Sequence, residues 1–412
     1  MSPIQKQLHK ILVHHCDRVC NWYDSKIKEL PYTIYSSYDI RDSGYKVANV
    51  DANIYPAGFN NICPTDKETS VDLMKKFLKA HYPDVQKICL ATEEHTGNPF
   101  YLENVATLEG LLVSAGYEVM LAFPKQMEEP LVLTSATGRS MQFFAGHPSG
   151  KKWKEFSPQL ILSNNDFSVE YADWAKDISI PIMPPRQLGW YQRQKSRYFK
   201  YYNQLAHEFG ELVGLDPFLF NVRTDEFLDF DIQDDGSRKI LAEKVDDLLE
   251  TLKKEYQVRG IDQKPFAFVK NNAGTYGLAV IRVSSGQDVL DWTYKSRKKM
   301  KAAKGGRDVE EVIIQEGLPS IVQSDGVSAE PVIYMIGKDL AGGFLRTHSE
   351  KNSEESLNSP GAVYKRMCVS DLAISVKNCP NENVYGWSAK LGLLAIAMEA
   401  QEMKAPFPGW KS

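Results

Sequence analysis

Lys270 ends a short apolar run and opens a loop of small and polar residues, FVKNNAGTYGLAV over 268–280. Lysine offers a fixed positive charge to phosphate oxygens. Glycines at 274 and 277 let backbone N–H groups approach those oxygens. Lys270, Asn272, Gly274, Thr275, Tyr276 and Gly277 are therefore candidates for a hairpin that closes over a nucleotide. The plain alternative is a β-hairpin whose turn needs glycine. The loop is not a Walker loop, because its lysine precedes the glycines, and it lacks the GxGxxG of a dinucleotide fold. Further on, VIIQEGL ends a strand at Gln315, Glu316 and Gly317, where backbone groups could meet an adenine edge or simply form a polar turn. GGFLRTH places Arg346 at a strand end, and a guanidinium fork suits phosphate or carboxylate. ESLNSPGA adds Asn358 and Gly361 in a second loop of small residues.

A second group lies early, in VANVDANIYPAGFNNI at 47–62. Asp51 and Asn53 share a face of an extended segment. A carboxylate and an amide oxygen together suit Mg²⁺, which takes few protein ligands beside nucleotide phosphates. The alternative is a polar turn before Pro56. Asn60 and Asn61 could hold a zwitterionic substrate or cap a turn. Asn164 follows the strand QLILSN, and ligands in open α/β sheets sit at such carboxyl ends. Two motifs fail on inspection: DFDIQDDG has Ala242 where a calcium loop needs glutamate, and His207-Glu208 lacks the second histidine of a zinc helix.

Elements must hold these residues in place. An amphipathic helix is expected over 3–30, short strands at 32–34 and 45–50, and a β-α-β unit over 86–122 with Asn98-Pro99 as its helix start. Helices are expected at 189–213, 239–256, 287–303 and 386–403. Strands are expected at 266–270, 278–283, 311–316, 328–336 and 340–346. The chain has 412 residues, 43% hydrophobic and 25% charged, which fits two or three globular domains. A net charge of −4 gives no basic signature for nucleic acid or an acidic membrane. The longest apolar run, LGLLAIAM at 391–398, is too short to span a membrane. Six scattered cysteines without CxxC spacing lead us to expect reduced thiols and a cytoplasmic protein.

In order, DIRDSG, VDANIYPAGFNN, LSNNDFS, PPRQLGWYQRQKS, FVKNNAGTYGLAV, IIQEGL, AEPVIYMI, GGFLRTH and LNSPGA resemble the glutamate–cysteine ligases of the ATP-grasp-like type found in some proteobacteria. The resemblance spans about 5–403. It implies ATP- and Mg²⁺-dependent activation of the γ-carboxylate of glutamate as an acyl phosphate. The cysteine amine then attacks, giving γ-glutamylcysteine, the first step of glutathione synthesis. It also implies an α/β fold with α+β elements, ATP-grasp-like and circularly permuted, with a Rossmann-like N-terminal domain. The expected parts are a substrate- and metal-contributing domain at 1–170, a helical connection at 171–265 and a nucleotide region at 266–412.

By the same resemblance, Lys270, Arg346 and Asn358 are catalytic and the 271–277 loop and Gln315–Gly317 hold ATP. Asp51 and Asn53 hold the metal, with Glu355 and Asn358 as a second choice. Arg41, Asn60, Asn61, Asn164 and Arg193 are candidates for the charged ends of glutamate. Asn272 and Ser356 depart from the family pattern, which carries an acidic residue and an asparagine there. Rival readings are a ligase of other amino acids and a nucleotide-binding scaffold without chemistry.

Overall fold

The computed structural model describes residues 3–94, 97–274, 279–301, 309–374 and 381–410. Its strands, in chain order, are β1 Tyr35–Asp42, β2 Val47–Asn53, β3 Lys87–Ala91, β4 Glu118–Phe123, β5 Leu131–Thr134, β6 Ser140–Ala145, β7 Leu160–Ser163, β8 Ile182–Met183, β9 Thr224–Phe227, β10 Ala267–Asn271, β11 Val280–Val283, β12 Val312–Glu316, β13 Gln323–Ser324, β14 Val327–Ile336, β15 Asp339–Thr347 and β16 Val363–Met367. A short pair, Ala373–Ile374 and Asn381–Glu382, stands apart. The fold is mixed α/β.

One sheet runs β5-β6-β4-β3-β7-β8, parallel except for β5 at its edge. Its centre is the β-α-β unit foreseen from sequence. Asn98 caps the helix Pro99–Ser114 through the amides of Phe100 and Tyr101, and proline takes the first helical position, where no N–H is needed. A second, antiparallel sheet runs β11-β10-β12-β9 under the helix Asp235–Val258, whose first turn is capped by Asp234.

The third sheet, β16-β15-β14-β1-β2 with β13 paired to β14, is antiparallel throughout. It joins strands from 35–53 to strands from 323–367, so segments expected in the first and last parts of the chain share one sheet. The helix Val384–Glu402 is buried on nearly every side, against this sheet and the helix Lys195–Val213. That burial explains its all-round apolar sequence. At Gly392 an added Cβ would lie 2.4 Å from the Tyr38 ring, so only glycine permits this approach.

Several boundaries differ from the sequence expectations. DIRDSG begins inside β1 rather than joining two strands. The first helix is two, Pro3–His14 and Cys16–Lys28. The helix expected from 189 starts at Lys195, because the Trp190 and Tyr191 amides are spent on the Asp166 and Phe167 carbonyls. The basic helix at 287–303 is two short ones, Gly286–Leu290 and Tyr294–Met300, each started by its own cap, Ser285 and Thr293. The helix Pro64–His81 was not foreseen. Cys16 is disulfide-bonded, unlike the reduced thiols expected; Cys20, Cys63, Cys89 and Cys368 are free. Spacing along the chain says nothing about a pairing made by folding. No helix among the described residues is long and apolar enough to cross a membrane.

Candidate active site

Lys270 stands in β10, an inner strand of its sheet, opposite Val280 on β11 and Ile313 on β12. Its ammonium donates to Gln315 Oε1 at 2.6 Å and to the Val50 carbonyl at 3.1 Å. The second contact ties the β10 sheet to β2 of the large antiparallel sheet. Between them opens a cleft lined by Asp39, Arg41, Asp51, Lys195, Phe268, Lys270, Gly274, Gln315, Glu316, Leu318, Glu330, Ser356 and Asn358 among others. A neighbouring chamber is lined by Asp39, Asp51, Asn53, Gly58, Asn61, Trp190, Tyr334, Phe344, Arg346, Asn358 and Tyr364 among others. Asp39, Asp51, Gly274 and Asn358 line both, so they form the seam between the chambers.

Sheet register builds the seam. Asp39 on β1 faces Asp51 on β2 directly, and Glu330 on β14 faces Arg346 on β15. Arg346 Nη1 donates to Asp39 at 2.6 Å and to Glu330 at 2.7 Å. Arg41 holds the other Glu330 oxygen at 2.7 Å. It also donates to the Ser353 and Glu355 carbonyls, which pins the loop carrying Ser356 and Asn358. Lys195 pairs with Asp51.

Four cations, Arg41, Lys195, Lys270 and Arg346, thus meet three carboxylates, Asp39, Asp51 and Glu330. Burial pushes Lys270 down to about 8, against the pull of Asp51. Burial also raises Asp39, only partly opposed by Arg346. For Glu330 burial is outweighed by two guanidiniums, Arg41 and Arg346, and its carboxyl lies below its ordinary value. For Asp51 burial is outweighed by Lys195 and Lys270, with the same result.

Of the residues expected to act, Lys270, Gly274, Gln315, Glu316, Arg41, Asp51 and Asn358 meet in the first chamber, and Asn53, Asn61 and Arg346 in the second. Thr275, Tyr276 and Gly277 lie outside the described residues. Others are committed elsewhere. Asn272 binds Ser196 and Glu311, clamping the start of the helix Lys195–Val213. Arg193 is buried on Glu399 and the Ala52 carbonyl, and its guanidinium lies 4.7 Å from the Trp190 ring centre. Asn164 joins Asn104 to the Pro56 carbonyl. Asn60 leans on Asn61, and Glu355 pairs with Lys351 outside both chambers.

The expected adenine edge is also altered. The Glu316 and Gly317 amides already donate to the Arg223 and Phe266 carbonyls. The Glu316 carboxylate is fully buried on Lys46, Tyr256 and the Arg223 amide. An added Cβ at Gly317 would lie 2.2 Å from the Phe266 ring, so this glycine serves packing. Residues missed in the sequence are Asp39, Glu330, Lys195, Leu318 and Trp190. The signal was present: DIR and DAN each alternate polar residues onto one face of a strand.

The site's oxygen donors fit a hard divalent cation. Asp51 keeps about a third of its side chain open (36%) at the seam, beside Asp39. Asn53 Oδ1 accepts from the Tyr55 amide at 2.9 Å and keeps a second lone pair.

No curated protein matches the sequence. A crystal structure from Methylobacillus flagellatus KT, provisionally described as a gamma-glutamylcysteine synthetase, is similar at 33% identity and a TM-score of 0.86, covering 97% of this chain and 96% of that one. D-alanyl-alanine synthetase A from Vibrio cholerae O1 biovar eltor str. N16961 is 11% identical over 78% of this chain and 81% of its own, with a TM-score of 0.30. The family model for glutamate–cysteine ligase, GshA, matches residues 9–400, and the chain belongs to that family, whose members are ATP-dependent ligases.

Proposed function

We propose that the two chambers divide the ligase reaction between them. ATP lies in the first, with adenine between Phe268, Val280 and Leu318 and its phosphates beside Lys270. Glutamate and cysteine occupy the second, and the γ-carboxylate reaches the seam. The observation that carries this reading is the shared lining: Asp39, Asp51, Gly274 and Asn358 border both spaces, so donor and acceptor can meet there. The fold proposed is ATP-grasp-like and permuted, since the acidic strand pair comes early in the chain. Within this reading the enzyme works in the cytoplasm.

The main barrier is charge. A carboxylate and a terminal phosphate repel, so cations must neutralise both where they approach. Lys270 faces the phosphate side and Arg346 the carboxylate side. Their present partners, Gln315 and the Asp39–Glu330 pair, hold them in place before substrate arrives. In this reading Asp51, with Asn53 and Asp39, would hold Mg²⁺, which when bound would offset phosphate charge. Asn358 has no protein partner for its side chain among the described residues and can reach either chamber. The acyl phosphate needs shelter from water, and the loop after Lys270 is the element proposed to give it.

The test is the purified chain with ATP, Mg²⁺, glutamate and cysteine. The expected product has the mass of γ-glutamylcysteine, with one ADP released per peptide bond. ATP turnover that does not depend on the amino acids would overturn the reading. Asp51→Asn is expected to abolish turnover while its circular dichroism and Tm show a folded chain; full Mg²⁺-dependent activity would remove Asp51 from the site.

A further inference from the structure

Outside the seam, two free thiols in contact lie close in sequence to residues that line the second chamber. Cys63 begins the helix Pro64–His81, two residues after Asn61, and Cys368 follows β16, four residues after Tyr364. Both are buried, and their sulfurs are 2.7 Å apart. Asp66 completes the group, and its carboxylate accepts from the Val369 amide at 2.9 Å. The trio invites comparison with a metal site, but the spacing argues otherwise. Two thiolates on one zinc, each about 2.3 Å from it in tetrahedral geometry, stand roughly 3.7 Å apart. Arg366 Nε also donates to Cys368 Sγ at 3.0 Å, placing a cation where a metal ion would add a second. Sulfurs this close are instead near the roughly 2.0 Å of a covalent link.

We propose that Cys63 and Cys368 form a reversible disulfide, a modification site that staples the two sides of the amino-acid chamber when peroxide is present. Cys368, beside the Arg366 guanidinium, is the sulfur that attacks. Its thiolate takes one peroxide oxygen, the O–O bond breaks, and the departing hydroxide leaves as water once protonated. Cys63 then attacks the resulting sulfenic sulfur, the S–S bond forms and a second water departs. The two thiols lose two electrons and one hydrogen peroxide gains them; a dithiol reductant reverses the change.

The link joins segments that already line the chamber. Ala57, Gly58 and Asn61 precede Cys63, and Tyr364 precedes Cys368. The sulfurs, 2.7 Å apart, need to close by roughly 0.7 Å to reach a disulfide's bond length. The staple limits how far the 57–63 segment and β16 can part as amino acids enter. This consequence rests on the proposed function; the link itself does not.

The experiment treats the reduced full-length chain with dilute hydrogen peroxide and maps its peptides by mass. Besides the pair that holds Cys16, a linked peptide pair containing residues 63 and 368 is expected, cleaved by dithiothreitol and absent from Cys63→Ser and Cys368→Ser. If a serine variant does not fold, differential alkylation of the wild-type thiols gives the same answer. Separate sulfinic acids at the two positions, without a link, would overturn the proposal. So would one zinc per chain that is retained on dialysis and lost in Cys63→Ser. Oxidised enzyme is expected to show a raised Tm and a shifted KM for glutamate or cysteine, with KM for ATP unchanged. Equal amino-acid KM values in the two forms would refute the staple's effect. An enzyme with no ligase turnover even when reduced would defeat the functional reading and leave the link standing.

Discussion

Nucleotide affinity is expected to weaken above pH 8 because of one buried lysine. Burial lowers Lys270 from 10.5 to about 8, although Asp51 pulls the other way. At pH 7 nearly every chain then carries the ammonium, whereas at pH 9 about one in ten does. ATP phosphates stay ionised across that interval, so the change lies in the protein. If nucleotide binds only the ammonium form, Kd rises about tenfold from pH 7 to pH 9, and binding at pH 9 draws in close to one proton. Calorimetry in two buffers of different ionisation enthalpy reads both quantities. Lys270→Met should bind more weakly at pH 7 and lose the slope. An equal Kd at pH 7 and 9, or a variant that keeps the wild-type slope, would refute the reasoning.

Stability supplies an independent check with a fixed sign. The unfolded lysine titrates near 10.5 and the folded one near 8, so between these values the unfolded chain binds more protons and stability rises with pH. Below pH 8 the buried ammonium costs about 3 kcal/mol, at about 1.4 kcal/mol per pH unit. Lys270→Met removes that cost but leaves Gln315 and the Val50 carbonyl without their donor, a loss of about 1 kcal/mol each. The variant should therefore be more stable at pH 7, by about 1 kcal/mol, with the advantage gone by pH 10.5. Urea melts of both proteins across this range measure it.

Three further outcomes follow from buried contacts. Lys46 and Glu316 form a fully buried pair at 2.8 Å, so Lys46→Met should cost about 3–5 kcal/mol in denaturant melts, and the double variant with Glu316→Met should recover most of it. Asn272→Asp should destabilise by about 1–3 kcal/mol, because a carboxylate cannot donate to Ser196 and would face Glu311. Trp190 is buried beside the second chamber with an indole N–H that has no partner among the described residues. Trp190→Phe removes that donor together with one fused ring of a buried side chain, so the relief of the N–H and the space left behind oppose each other and Tm should change little. A fall of many degrees would show that the N–H is satisfied in solution.

The elements were legible where local pattern decides structure. The β-α-β unit followed from its apolar stripe and its Asn-Pro start. The Lys270 strand followed from an apolar run broken by glycine. Charged residues inside β1 hid that strand: Asp39, Arg41 and Asp42 look like a turn until their partners are known. Those partners are Glu330 and Arg346 for the first two and Tyr385 for Asp42, all about 300 residues away.

The same distance explains which expected site residues have partners that the sequence does not show. Arg193, Asn164 and Asn272 have side chains suited to a substrate, and nothing near them in sequence reveals that Glu399, Asn104 and Glu311 already hold them. A polar side chain is available to a ligand only after the protein's own long-range pairs are satisfied. At the seam that accounting does not close. Arg346, Arg41 and Lys195 are matched by Glu330, Asp39 and Asp51, while Lys270 rests on two neutral oxygens, Gln315 Oε1 and the Val50 carbonyl. A buried cation whose acceptors among the described residues are neutral is costly, and the proposed function relieves that cost by bringing an anion into the first chamber. The position that ends a strand in the sequence is thus also where that proposal needs a cation for phosphate.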